Sequence, residues 1–217
     1  MFLDTAPRQE NIAFIESYAD RVAENFRLLK TISGDIMLAC EIVWKSLQSN
    51  NTIFFCGNGG SAADSQHLAA DILGRYRTSR KAMSALALTV DTSVLTALAN
   101  DYGYESAMAH QLDGLGREGD VLVAISTSGN SENILRTIKV AREKGIHTIG
   151  LTGHTGGQMR DMVDLCLCPP SDMTNHIQEM HIAIGHMICE YVEANAKARA
   201  EYQAPHPHVL NMAKTGT

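Results

Sequence analysis

Apolar side chains recur at helical spacing through Ile12, Ile15, Tyr18, Val22, Phe26 and Leu29, and again through Ile36, Leu38, Ile42, Val43 and Leu47. This periodicity predicts two helices across residues 8–49. The turn Thr31-Ile32-Ser33-Gly34-Asp35 between them supplies a glycine and capping residues. From residue 52 the pattern changes to short continuous apolar runs alternating with amphipathic stretches. Strands are predicted at Thr52–Cys56, Ala85–Thr89, Val121–Ile125, Thr148–Leu151 and Leu165–Leu167, with helices over about 62–73, 91–99, 131–144 and 174–197. Runs that are apolar at every position suit strands buried on both faces. The expected fold is therefore α/β, a doubly wound parallel sheet flanked by helices, with the helix pair at residues 8–49 placed ahead of it. Residues 1–200 read as one domain, and 201–217, which lack periodicity, as a tail. A helix pair with no crossover role has an apolar face suited to another subunit.

Composition narrows the function classes. The 217 residues are 45% hydrophobic, enough for one sizeable core. A formal net charge of −6 argues against nucleic acid or an anionic membrane as partner. No apolar run reaches the length of a membrane span, and charges interrupt the first twenty residues where a secretory segment would be apolar, so a cytoplasmic protein is expected. The five cysteines, Cys40, Cys56, Cys166, Cys168 and Cys189, are odd in number. Opposite-facing strand positions around Cys166 and Cys168 argue against a disulfide or zinc clip, leaving buried free thiols as the expectation. His206 and His208, between prolines in the tail, read as incidental rather than as a metal tract.

Two loops carry candidate chemistry. Gly57-Asn58-Gly59-Gly60-Ser61-Ala62 follows a strand and opens a helix, as a dinucleotide fingerprint does. The acid after the second strand, Asp91, lies 34 residues beyond Gly57. About 20 is usual for a ribose-binding acid. No Gly-Lys-Ser/Thr occurs, which excludes a P-loop. The second loop, Ser126-Thr127-Ser128-Gly129-Asn130-Ser131, has four hydroxyls in six residues at the end of a buried strand and the start of a helix. Backbone N–H groups, the helix dipole and the hydroxyls together suit a phosphate monoester held by neutral donors. An ordinary turn with a serine cap is the plainer alternative, though a cap needs only one hydroxyl.

Titratable residues stand near these loops. His67 and Asp71 are one helical turn apart, and Gln178 and His186 lie on one side of the long last helix across two turns. Taken alone, a histidine on an apolar helix face belongs to the core, and His181 is read that way.

The strand with its STSGNS loop, the earlier CGNGGSAADSQH stretch and the late IQEMHIAIGH helix together resemble the sugar isomerase (SIS) domain, a flavodoxin-like fold. Within it they look like the phosphoheptose isomerases, which interconvert sedoheptulose 7-phosphate and D-glycero-D-manno-heptose 7-phosphate. The likeness spans about residues 8–197. It implies Asp71 and His186 as the catalytic acid/base pair, and His67, Asp71, Gln178 and His186 as ligands where a zinc ion is held. It implies Ser61, Ser126, Thr127, Ser128 and Ser131 at the phosphate, and Asn58, Arg75, Asp101 and Gln178 around the rest of the substrate. A homotetramer serving heptose-containing lipopolysaccharide, capsule or a related glycoconjugate is the family expectation. One departure is evident, since the family carries glutamate where this chain has Asp71. Two other readings stay open: a non-catalytic SIS regulator that binds a protein such as a replication initiator, and a dinucleotide enzyme built on the first glycine loop.

Overall fold

The computed structural model describes residues 8–203. The histidines of the tail, His206 and His208, lie outside the described residues. The chain opens with α1 (Arg8–Leu28), a 3-10 turn at Leu29–Ile32 and α2 (Ser33–Gln48). It continues through β1 (Ile53–Gly57), α3 (Gly60–Leu73), β2 (Ala85–Ala87), α4 (Thr92–Tyr102) and α5 (Tyr104–Leu115). Then come β3 (Val121–Ile125), α6 (Glu132–Glu143), β4 (His147–Leu151), β5 (Leu165–Leu167) and α7 (Thr174–Gln203). All strand pairings are parallel and the sheet order is β2-β1-β3-β4-β5. That is the flavodoxin-type doubly wound order, with the reversal falling beside β1 and β3.

Alternation along each strand feeds two cores. Ile53 and Phe55 of β1, with Val121, Val123 and Ile125 of β3, pack against α2, α3 and α7. Phe54 and Cys56 face the other way and pack with Leu122 and Ala124 against α5 and α6. Helices on both faces leave every residue of β1 and β3 buried, which is why these strands are apolar throughout.

Four expectations change. The helix pair is nearly continuous, because Ser33 and Gly34 begin α2 instead of breaking the chain. A whole helix, α5, fills residues 104–115, and its buried Met108 and Leu112 complete the second core. Residues 201–203, assigned to the tail, extend α7. The cysteine reading fails in one respect. Residues two apart on a strand share a face, and Cys166 and Cys168 bring their Sγ atoms within 3.5 Å, both only half-buried. Cys40, Cys56 and Cys189 are buried free thiols. No helix among the described residues is long and apolar enough to cross a membrane.

His181 is a core residue, 1% exposed, and its Nε2 donates to the Thr152 carbonyl at 3.0 Å. Burial lowers its pKa to about 4, against 6.5 for an ordinary histidine, so the folded state keeps the ring neutral. The unfolded chain takes up a proton near 6.5, and the associated stability is lost as pH falls from there towards 4. The loss amounts to about 3 kcal/mol at most. Urea unfolding of the wild type and of His181→Gln across that window should give profiles that diverge by this order. Parallel profiles would exclude His181 as the titrating group.

Candidate active site

The glycine loop and the STSGNS loop leave the carboxyl ends of β1 and β3, where the strand order reverses and doubly wound folds open a crevice, and a histidine–aspartate cluster lies further along α3. From β1 the chain turns through Gly59, at φ +53°, directly into α3. One face of α3 carries His67 and Asp71. From the other side α7 lays His186 against them. His67 Nε2 lies 3.0 Å from His186 Nε2 and 3.4 Å from Asp71 Oδ2, with His186 Nε2 at 4.0 Å from the same oxygen. Asp71 Oδ2 is buried and has no hydrogen-bond partner. The α3 turn that holds Asp71 is capped by Arg80, whose Nη2 donates to the Asp71 and Ile72 carbonyls, each at 2.8 Å.

Gln178 comes to the other end of α3. A Cβ at Gly60 would sit 1.8 Å from its Nε2, so only glycine admits the amide here. The same amide stands over the backbone that a dinucleotide pyrophosphate would approach. Asp91, the acid weighed for a ribose, instead caps α4, accepting from Val94 N at 2.9 Å.

The STSGNS loop leads from β3 to α6. Ser126 Oγ lies 3.0 Å from Ser131 Oγ and 3.4 Å from Ser128 Oγ, and Ser128 Oγ accepts from Asn130 N at 3.2 Å. Ser126 is buried while Ser128 is exposed, so the hydroxyls form a graded cup rather than a flat surface. The Thr127 carbonyl accepts from Gly153 N at 3.0 Å, tying the loop to the end of β4. Ser61 is buried in the first turn of α3, and Ser65 Oγ donates to its carbonyl at 2.8 Å.

Other candidates are placed less centrally. Asn58 exchanges two hydrogen bonds with buried Asn133, at 2.9 and 2.8 Å, and accepts from Tyr104 Oη at 2.9 Å. Arg75 is exposed just beyond the end of α3, and Asp101 is exposed near the end of α4, accepting from Asn100 Nδ2 at 2.9 Å. Neither reaches the histidine cluster through any contact described.

Sequence reasoning missed Asp64, Asn133, Tyr76 and Tyr104. Burial raises the Asp64 carboxyl above the usual range, opposed by a hydrogen bond from Gln178 and by nearby His67 and His186. Its position three residues before His67 placed it on the same helix face, a signal present in the sequence. Tyr76 packs its ring beside that of His186, with centroids 5.9 Å apart. Asn133 and Tyr104 belong to helices distant in sequence, and no local pattern marks them.

Residues 17–153 match the SIS domain family. A phosphoheptose isomerase from Akkermansia muciniphila is 56% identical over 172 residues, covering 79% of this chain and 91% of that protein. The chain belongs to the phosphoheptose isomerase family. Its relative from Rhodospirillum rubrum is 49% identical over 82% of this chain and 95% of that protein. A solved phosphoheptose isomerase from Neisseria gonorrhoeae superposes with a TM-score of 0.78 at 40% identity, covering 86% of this chain and 98% of that one. The glycine loop passes directly into α3, and its Gly60 lies under the Gln178 amide of α7.

Proposed function

We propose that this chain interconverts sedoheptulose 7-phosphate and D-glycero-D-manno-heptose 7-phosphate through an enediol. The observation that carries the reading is the His67–Asp71–His186 cluster, on a helix whose first turn holds the buried Ser61, in a chain that also has a hydroxyl-lined loop at the sheet's switch point. Isomerisation needs a phosphate grip remote from the reacting carbons and an acid/base pair at them. The STSGNS loop and Ser61 provide the grip. Asp71 and His186 flank the other end, one taking the C1 proton and returning it to C2, the other serving the C1 and C2 oxygens. Gln178, Asn58, Arg75 and Asp101 are assigned to the sugar hydroxyls. Loss of the C1 proton to a shared carboxylate or imidazole lets some of it exchange with water.

The cluster also fits a zinc ion. Tetrahedral nitrogen and oxygen donors about 2.0–2.1 Å from zinc stand roughly 3.3 Å apart. The three observed separations bracket that value, and the partnerless Asp71 Oδ2 is a donor in need of a cation. His67, Asp71 and His186 would hold it, and Gln178, whose amide stands over Gly60 at the start of α3, would have to swing in to serve as the fourth ligand. When bound, zinc would supply Lewis-acid polarisation of the substrate carbonyl. Because His67 Nε2 and His186 Nε2 are so close, only one of them carries the shared proton when no cation lies between them.

A homotetramer is part of the proposal, supported by the exposed Ile12, Phe14 and Ile15 of α1 and by α4, which buries no residue. So is a cytoplasmic role in supplying heptose for lipopolysaccharide, capsule or a related glycoconjugate. The regulator reading is less favoured, because the acid/base pair and an identity of about half to curated enzymes are both retained.

Purified protein, with and without added zinc, should convert sedoheptulose 7-phosphate to the aldose 7-phosphate, and in deuterium oxide the product should carry deuterium at C2. No turnover by the wild type alongside turnover by Asp71→Glu would sink the claim of native activity. Recovery of a replication initiator in a pull-down, with no turnover by either protein, would favour the regulator.

A further inference from the structure

The last strand carries a pair of thiols that the isomerase chemistry does not use. Cys166 lies within β5 and Cys168 one residue beyond its end, and their Sγ atoms share a sulfur hydrogen bond at 3.5 Å. Both are half-buried, whereas Cys40, Cys56 and Cys189 are at most 3% exposed. We propose that Cys166 and Cys168 form a reversible dithiol–disulfide site that takes hydrogen peroxide or a small organic hydroperoxide as its oxidant.

Three features support it. The pair is already in contact, so bond formation requires the sulfurs to close by about 1.5 Å, to roughly 2.05 Å. Two strand steps separate Cα atoms by about 6.6–6.8 Å, at the upper end of what a disulfide spans. The small contraction needed falls at Cys168, past the last residue of β5, so the ladder bond from Thr152 N to the Leu167 carbonyl, at 3.1 Å, stays in place. The two sulfurs are also unequal. A hydrogen bond from the Cys166 thiol, helped by Arg160 and His154 and opposed by burial and Asp35, draws Cys168 down to about 7, while Cys166 is pushed up. By contrast, burial pushes Cys56 and Cys189 up to about 12 and Cys40 to about 11, leaving them as thiols. The described residues bring no third histidine, cysteine or carboxylate donor to the pair, so a closed zinc site is not the better reading.

In the first step the Cys168 thiolate attacks one peroxide oxygen, the O–O bond breaks, and the departing hydroxide takes the proton released by Cys168 to leave as water. The Cys166 sulfur then attacks the Cys168 sulfenic acid, losing its proton to the departing hydroxyl, and a second water leaves. Two thiols are oxidised to one disulfide, and one hydroperoxide is reduced.

The test uses the reduced full-length protein with one equivalent of hydrogen peroxide, followed by alkylation and peptide mass mapping. The peptide bearing Cys166 and Cys168 should resist alkylation and lose about 2 Da, and dithiothreitol should restore both thiols. Cys166→Ser should stop at a sulfenic acid trapped by dimedone, and Cys168→Ser should react at least about tenfold more slowly than the wild type. Three results would overturn the proposal: both thiols alkylating in full after peroxide, a bond joining two chains instead, or Cys168→Ser reacting as fast as the wild type.

Discussion

Replacing Asp71 with asparagine is expected to lower kcat on sedoheptulose 7-phosphate by on the order of 10²–10⁴-fold, with KM changed far less. The substitution keeps the shape of the side chain and removes its charge and proton affinity. The carboxylate oxygen Oδ2 lies 3.4 Å from His67 and 4.0 Å from His186 and has no hydrogen-bond partner, so an amide there leaves the two histidines without the carboxylate they face. The proposed phosphate grip is the loop ahead of α6 together with Ser61 in the first turn of α3, nearly three turns from Asp71, which is why binding should be spared. His186→Asn should cost a comparable factor. The double variant should be little worse than either single one, because a proton relay fails as a unit. Initial-rate kinetics with stopped-time product analysis would check all three. Equal losses in kcat and in phosphate affinity, or fully additive single effects, would contradict a paired acid/base role. Asp71→Glu is informative in the other direction. The glutamate that the resemblance implies at this position reaches about one carbon–carbon bond further, and a shift of ~1 Å at a reacting centre is worth on the order of a hundredfold. A faster Glu variant would identify this chain as one held below the family rate by a methylene.

The largest stability effect is expected at Gly129 in the STSGNS loop. This residue adopts φ +64°, which costs a residue with a side chain about 1–2 kcal/mol. Space is a second obstacle, since a Cβ would fall 2.1 Å from the Gly156 carbonyl oxygen and 2.7 Å from Thr152 Oγ1. The first of these is backbone and cannot swing aside, so the loop itself must move. That would disturb the bonds from Gly129 N to the Ser126 carbonyl and from Met159 N to the Gly129 carbonyl, at 2.9 and 3.0 Å. Gly129→Ala should therefore lose about 3 kcal/mol or more, a fall in Tm of roughly 6–12 °C for a chain of this size. It should also raise KM for the sugar phosphate by about tenfold, because the donors are set by this turn. Gly34→Ala is the matched control. That position lies in the first turn of α2, where an added methyl group would meet nothing within 4 Å, so Tm should hold or rise slightly. An unchanged Tm and KM in Gly129→Ala would remove the loop from the account of phosphate binding.

The central strands were legible because burial on both faces demands an apolar residue at every position, and the run at Val121–Ile125 satisfies it, whereas Leu165–Leu167 at the sheet edge buries its leucines and leaves Cys166 half-buried. The pairing of His67 with Asp71 was legible as well, since a spacing of four on a helix fixes a shared face whatever surrounds it. The helix over residues 104–115 was not, because its apolar stripe is short and it follows α4 with only Gly103 between them. The same limit applies to the thiols of β5, where the two-residue period was available in the sequence but the 3.5 Å approach was not.

The sequence by itself determined the local geometry: which residues share a helix face, which loops present hydroxyls, and which strands are buried on both sides. Only the tertiary structure decided that α7 lays His186 across α3 onto His67, that Gln178 closes over Gly60, and that Asp64 and Asn133 join the neighbourhood. The reason is physical. Spacing along a helix or strand is set by backbone periodicity, whereas the approach of residues more than a hundred positions apart is set by how two cores pack against one sheet.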